Sequence, residues 1–299
     1  MTRPDFFIVG AFKAGTTSLY EWLRQHPQVF MPFHKEPMFF GADLDPRYRR
    51  MSEAEYLHLF DDAKPGQRVG EASPWYLYSA SAAAEIRAFS PDARIIAMLR
   101  NPVDVMHAQH SQLLFNQRED LVEFADALAA EPDRRAGRRV PPGALRREAL
   151  LYRDSVRFAT QLRRYFDVFG RDRVHVIVHD DLRDGAAEVV RGTFAFLGVD
   201  PDVAVTLDAR NQNRRARFAT LQRLVFRPPG PLRRVVPWLR RFPLVHRLRD
   251  ALVNANSLPE ERRPMDPALR RRLTVELAPE VAELGQLIGR DLSAWSRLA

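Results

Sequence analysis

The sequence predicts an α/β fold with a central, mainly parallel sheet covered on both faces by helices. Three observations carry this. Apolar runs of strand length, Asp5–Gly10, Ala93–Leu99 and Val174–Val178, lie far apart in the chain. Helical patterns separate them, and strands alternating with helices build parallel sheets. The first run passes through a glycine-containing turn straight into a helical pattern. The 299 residues read as one domain, 1–299, long enough to bury a full core.

The elements follow in order. After the first strand, Leu19, Trp22 and Leu23 keep helical spacing up to His26-Pro27, where a helix stops. Val69–Ala72 reads as a short strand before Ser73-Pro74, and Ala80–Phe89 as a helix. Asn101-Pro102 opens another helix, with Pro102 suited to its first turn. Glu131–Pro142, charged and proline-containing, reads as a surface loop. Leu145–Phe169 reads as one long helix, with Leu151, Val156, Phe158, Leu162, Tyr165 and Phe166 repeating at three or four residues and Gly170 ending it. Ala186–Leu197 is helical and stops at Gly198. Residues 211–265 are rich in arginine and proline and read as an irregular subregion, a lid candidate. Pro267–Ile288 forms the last amphipathic helix.

Composition narrows the function. The chain has no cysteine, which excludes disulfides, a thiol nucleophile and thiolate-ligated metal. No apolar run approaches the ~18 residues of a membrane span. The Phe6–Val9 run is too short for a signal peptide, so a cytoplasmic location is expected. Lys plus Arg is 46 against 38 Asp plus Glu, a net charge of +8. That balance favours phosphorylated or polyanionic partners: nucleotides, nucleic acid, sulfated glycans or anionic lipid. Lysine occurs only at positions 13, 35 and 64. Lys13 and Lys35 fall in the two segments that carry the chemistry.

Gly10-Ala11-Phe12-Lys13-Ala14-Gly15-Thr16-Thr17-Ser18 joins a strand to a helix. Such a turn binds anions, because free backbone N–H groups and the helix dipole converge on one point. Lys13 adds a mobile cation, and Thr16, Thr17 and Ser18 add hydroxyl donors. The loop of nucleoside-triphosphate enzymes places its lysine after the second glycine. Here Lys13 precedes Gly15, which argues against a kinase or ATPase.

These residues resemble the 5′-phosphosulfate loop of sulfotransferases that use 3′-phosphoadenosine-5′-phosphosulfate. Further segments fit in the same order. His34-Lys35-Glu36-Pro37-Met38-Phe39-Phe40 is similar to the K-E-P-x-F-F motif of the heparan-sulfate-type enzymes and their bacterial relatives. Gly70-Glu71-Ala72-Ser73-Pro74-Trp75-Tyr76 is similar to their G-E-x-S-P-x-Y segment. Leu99-Arg100-Asn101-Pro102 is similar to the R-[ND]-P motif for the 3′-phosphate. The resemblance spans nearly the whole chain and implies a P-loop-type three-layer fold around a parallel sheet.

It also implies roles. Lys13 binds the 5′-phosphate and bridging oxygen, and Ala14, Gly15, Thr16, Thr17 and Ser18 cradle that phosphate. Arg100 grips the 3′-phosphate. The serine that assists it in the family is Ala108 here, leaving Ser111, one turn further along, as the substitute. Arg215 and Arg217, in the Asn211–Arg217 segment, are the other candidates for the 3′-phosphate. Glu36 is the candidate general base: Pro37 restricts its backbone, and the Phe39-Phe40 pair is placed to bury it partly and raise its pKa. Lys35, Glu71 and His107 are candidates for acceptor contact, with His34 and His110 as further rival bases. The scheme needs no metal.

Two other readings stay open here. One is a basic nucleic-acid or polyanion-binding protein, although no nucleic-acid motif is present. The other is a P-loop kinase. The Pro231–Leu252 stretch mixes arginine with Trp238 and Phe242. It reads as a basic surface over a core helix, a lid over an acceptor, or a peripheral contact with anionic membrane. Oligomeric state leaves no mark on the sequence.

Overall fold

The computed structural model describes residues 2–44, 51–207, 214–226, 251–253, 255–259 and 263–298. The chain groups into two compact units. The first comprises Met1–Met106, Arg153–Asn211 and Pro267–Ala299; the second comprises His107–Tyr152 and Gln212–Asp266.

The strands are β1 (Phe6–Gly10), β2 (Val29–Phe30), β3 (Arg68–Ala72), β4 (Arg94–Leu99), β5 (Val174–Val178), β6 (Arg214–Ala216) and β7 (Ser257–Pro259). The helices are α1 (Thr16–Leu23), α2 (Glu53–His58), α3 (Ala82–Phe89), α4 (Pro102–Phe115), α5 (Phe124–Ala129), α6 (Glu131–Arg135), α7 (Tyr152–Ser155), α8 (Phe158–Phe169), α9 (His179–Leu197), α10 (Ala219–Phe226) and α11 (Pro267–Ile288).

In the first unit, five parallel strands pair in the order β2-β3-β1-β4-β5. Helices flank the sheet: α1 packs against α9, and α8 against α3 and α11. Phe6, Phe7, Ile8 and Val9 are all fully buried. A strand covered on both faces reads as a continuous apolar run rather than an alternation, which is why β1, β4 and β5 were visible in the sequence. Gly70 on β3 is dictated by the neighbouring strand. A Cβ there would overlap the ring of Phe6. β1 sits at the centre. The chain leaves it for β2 and β3 on one side, then crosses to β4 and β5 on the other. The crevice at the carboxyl ends of β1 and β4 is the place where such sheets bind ligands.

Three expectations need correction. The long helix over Leu145–Phe169 is broken into a short 3₁₀ turn (Glu148–Leu150), α7 and α8. The reason is burial: Ala149, Leu150, Leu151 and Tyr152 are all buried, and four consecutive buried residues cannot share one face of a surface helix. The loop read over Glu131–Pro142 begins as α6, with Pro132 in its first turn. Its Arg134 is fully buried, donating from Nη2 (2.6 Å) and Nη1 (2.8 Å) to the two carboxylate oxygens of Glu119. Last, α9 starts at His179, seven residues earlier than expected, and departs from helical geometry at Gly185.

The second unit is organised around that buried pair. Tyr152 Oη donates to Glu119 Oε2 (2.6 Å), and the N–H groups of Asp120 and Leu121 donate to Oε1. Burial pushes the Glu119 carboxyl up, but the Arg134 and Tyr152 donors hold it below its usual value. β6 and β7 pair antiparallel. Most of the 231–252 stretch, with the lid and membrane roles read there, lies outside the described residues.

Candidate active site

The loop between β1 and α1 is anchored at its start, where Ala11 N donates to the carbonyl of Met98 on β4 (2.6 Å). Gly15 caps α1 at φ +98°. A Cβ at Gly15 would also meet Met98 Cε at 3.3 Å, so glycine is required twice over. Ser18 N and Leu19 N both donate to Gly15 O. Among the described hydrogen bonds, the N–H groups of Gly15, Thr16 and Thr17 have no acceptor. They are the orphan donors of a helix start. Thr16 and Ser18 are buried, Ala14 is fully buried, and Lys13 and Thr17 are half-buried. Arg100, one residue past β4, donates from Nη1 to the carbonyl of Lys13 (3.4 Å). Thus Lys13, Ala14, Gly15, Thr16, Thr17, Ser18 and Arg100 share one end of the sheet. Donors and cations dominate this cluster.

A second cluster lies at the end of the neighbouring β3. Lys35 Nζ donates to Glu36 Oε1 at 2.6 Å, with the side chains 18% and 39% exposed. Glu36 and Met38 both have positive φ, +61° and +53°, a conformation that costs a side-chain-bearing residue roughly 1–2 kcal/mol. Hydrogen bonds to the β3 segment hold them there. Glu36 N donates to Ala72 O (3.1 Å) and Met38 N to Ser73 Oγ (3.2 Å). Phe39 N and Phe40 N both donate to Tyr76 Oη. The Lys35–Glu36 pair is therefore positioned by the Gly70–Tyr76 segment. Phe39 stacks on Tyr56 (4.2 Å between ring centroids), and Phe40 packs against Tyr56, Tyr76 and Phe89.

The deeply buried carboxyl is Glu71, with no exposure at all. Ser73 Oγ donates to its Oε2 (3.3 Å) while accepting from Met38 N. Burial raises the Glu71 pKa from 4.5 to about 8, against the opposing pull of the Tyr76 and Ser73 hydroxyls and the Lys35 charge. Its Oε1 and the hydroxyl of Tyr56 make no hydrogen bond. At neutral pH the residue is an uncharged acid beneath the Lys35–Glu36 loop.

Beside the phosphate-type loop, Phe12 lies against Trp75 (5.7 Å between ring centroids), and Trp75 against Tyr78. With Ala11, Ser155 and Gln161 they line a small cleft, and no charged side chain is among its described lining residues.

His34, partly exposed, precedes the Lys35–Glu36 pair in the first unit; the other predicted residues belong to the second unit. Ser111 Oγ donates to the carbonyl of His107 (3.0 Å), one turn back along α4. The ring of His107 packs near Phe124. His110 is buried and bonded to the carbonyl of Leu121, and burial lowers its pKa. Arg217 is exposed, its guanidinium 5.4 Å from the ring of Phe218. Arg215 lies on β6, and residues 211–213 are outside the described set. No group of three or more His, Asp or Glu side chains placed to hold a metal occurs among the described residues.

Sequence reasoning missed the C-terminal strap of the first unit. Trp295 Nε1 donates to Asp180 Oδ2 (2.6 Å), and Asn101 Nδ2 donates to the Trp295 carbonyl (3.3 Å). Arg290 forks onto Asp181 (2.9 and 3.1 Å). These bonds tie the segments after β4 and β5, which flank Arg100. The acid pair directly after a strong strand, Asp180-Asp181, was the available signal.

A profile of the sulfotransferase domain matches residues 3–214. The chain belongs to the sulfotransferase family. A crystal structure of a sulfotransferase from Alicyclobacillus acidocaldarius is 33% identical, with a TM-score of 0.75 over 99% of this chain and 100% of that one. Human heparan sulfate glucosamine 3-O-sulfotransferase 6 is 38% identical over 111 residues, 37% of this chain and 31% of the relative. Human carbohydrate sulfotransferase 15 is 33% identical over 149 residues, 36% of this chain and 27% of the relative. The match thus spans about a third of the length of these curated relatives. The family has the P-loop-type parallel sheet expected from the sequence, and the structure has that sheet in the order given above.

Proposed function

We propose that this chain transfers a sulfuryl group from 3′-phosphoadenosine-5′-phosphosulfate to a hydroxyl, or an amine, of a carbohydrate-like or other small-molecule acceptor. One observation carries the reading: Lys13 and the acceptor-free N–H groups of Gly15–Thr17 form a single cationic, donor-rich loop buttressed by Arg100. The residues fit a nucleotide with phosphates at both ends. The loop suits the 5′-phosphate and Arg100 the 3′-phosphate, because a guanidinium forks onto such a group.

The donor supplies an activated sulfuryl group with a phosphate as leaving group. In-line transfer then asks the protein for positioning, charge neutralisation and a base. Lys13 neutralises charge where the bond to phosphate breaks. Glu36 accepts the acceptor's proton. Lys35 pairs with the Glu36 carboxylate, and the bonds from Ser73 and Tyr76 fix its loop. Glycan-type acceptors are favoured by the relatives, which are named for heparan sulfate glucosamine and carbohydrate. Incubation with donor carrying radiolabelled sulfur and a panel of glycan and small hydroxyl acceptors tests the reading. Label is expected in an acceptor, and it is expected to vanish in Lys13→Ala. Equal labelling by wild type and Lys13→Ala would overturn the assignment.

A further inference from the structure

One group beside the loop has no part in that scheme. His179 opens α9 directly after β5. A Cβ on Gly15 would lie 3.5 Å from its ring Cδ2, so the imidazole packs directly on the glycine that caps α1. His26, His58, His110 and His175 each have a hydrogen-bond partner. Neither ring nitrogen of His179 makes a described hydrogen bond, although the ring is only half exposed. We propose that His179 is a donor-binding residue, standing in the corner between Gly15 and Arg100 and taking up a proton from solvent when a 3′-phosphonucleotide fills that corner.

The charges around it favour this. Arg100 follows β4, and its bond to the Lys13 carbonyl is long at 3.4 Å. The acids nearby are already engaged. Asp180, next along α9, accepts from Trp295 Nε1, and Asp104 on α4 pairs with Arg270. Arg183, one turn further on α9, pairs with Asp184. Lys13 is the titratable group of the loop. Without a ligand, burial and then the Arg100 charge hold the His179 pKa below its usual 6.5, opposed by Asp180 and Asp104. A phosphate dianion reverses the balance: it neutralises Arg100 and accepts a hydrogen bond from the imidazolium.

The inference rests on the donor reading above, and its test separates the two. The full chain is titrated calorimetrically with adenosine 3′,5′-bisphosphate between about pH 5.5 and about pH 8, in buffers of different ionisation enthalpy. Wild type is expected to absorb part of a proton on binding, and His179→Gln to lose that part. The wild-type-to-variant affinity ratio should rise as pH falls, by up to about tenfold per pH unit within the window between the free and bound pKa values. The nucleotide's own phosphate ionisation is common to both proteins and cancels in the ratio. His179→Phe keeps a ring against Gly15 without a titrating nitrogen, and should match His179→Gln. Equal proton uptake and equal pH profiles in all three proteins overturn the inference while leaving the donor reading intact. Failure of all three folded proteins to bind the bisphosphate overturns the donor reading itself.

Discussion

Replacing Glu71 by glutamine tests the buried acid beneath the Lys35–Glu36 loop. Glu71 is fully buried, and its pKa rises from 4.5 to about 8 on folding. The unfolded chain therefore releases this proton near pH 4.5, whereas the folded chain holds it to about pH 8. Between those values the unfolded state binds fewer protons, so this group makes stability fall as pH rises. At ~1.36 kcal/mol per pH unit, the full interval amounts to about 5 kcal/mol. Glutamine matches the shape of the neutral acid and cannot ionise. Urea unfolding of both proteins across this pH range should show the stability difference, variant minus wild type, growing with pH. Its slope should approach ~1.36 kcal/mol per unit near pH 7. Parallel curves would refute the reasoning. A difference shrinking with pH would mean that the native carboxyl is ionised and that Lys35, Ser73 and Tyr76 outweigh burial.

Glu36→Gln keeps a hydrogen-bond acceptor for Lys35 but removes the proton acceptor. Its kcat should fall by about 10²–10⁴ while adenosine 3′,5′-bisphosphate affinity stays unchanged. An unaltered kcat would remove Glu36 as the base. Arg134→Met leaves the Glu119 carboxylate buried without its bidentate partner. Breaking such a pair typically costs about 3–5 kcal/mol. Chemical denaturation should register that loss, and a change below about 1 kcal/mol would mean that Tyr152 and the backbone donors of Asp120 and Leu121 suffice for Glu119.

Much of the first unit was legible because its sheet is buried on both faces. β1, β4 and β5 stand out as unbroken apolar runs, and the two helix-side glycine and proline signals, Gly15 and Pro102, mark where α1 and α4 begin. The loop around Lys13 was readable for the same reason, since its residue order fixes a strand–turn–helix. What periodicity cannot convey is partnership across distance. Arg134 looks like surface charge until Glu119, fifteen residues away, is seen facing it. Glu71 looks like a strand-end acid, and only its burial beside Tyr56, Ser73 and Tyr76 marks it as the deeply buried one. The apolar residues of 149–162 keep helical spacing, yet they do not form one helix, because the chain leaves helical geometry at Leu151 and again before Phe158. His179 and Trp295 carry no motif; their place beside the loop comes from tertiary contacts alone.

The donor site is the centre of this account, and calorimetric binding of adenosine 3′,5′-bisphosphate tests it most directly, with adenosine monophosphate and ATP as controls. Binding that requires the 3′-phosphate, and that is lost in both Lys13→Ala and Arg100→Ala, is the predicted result. No binding by the folded chain, or binding equally shared with ATP and indifferent to Arg100, would contradict it.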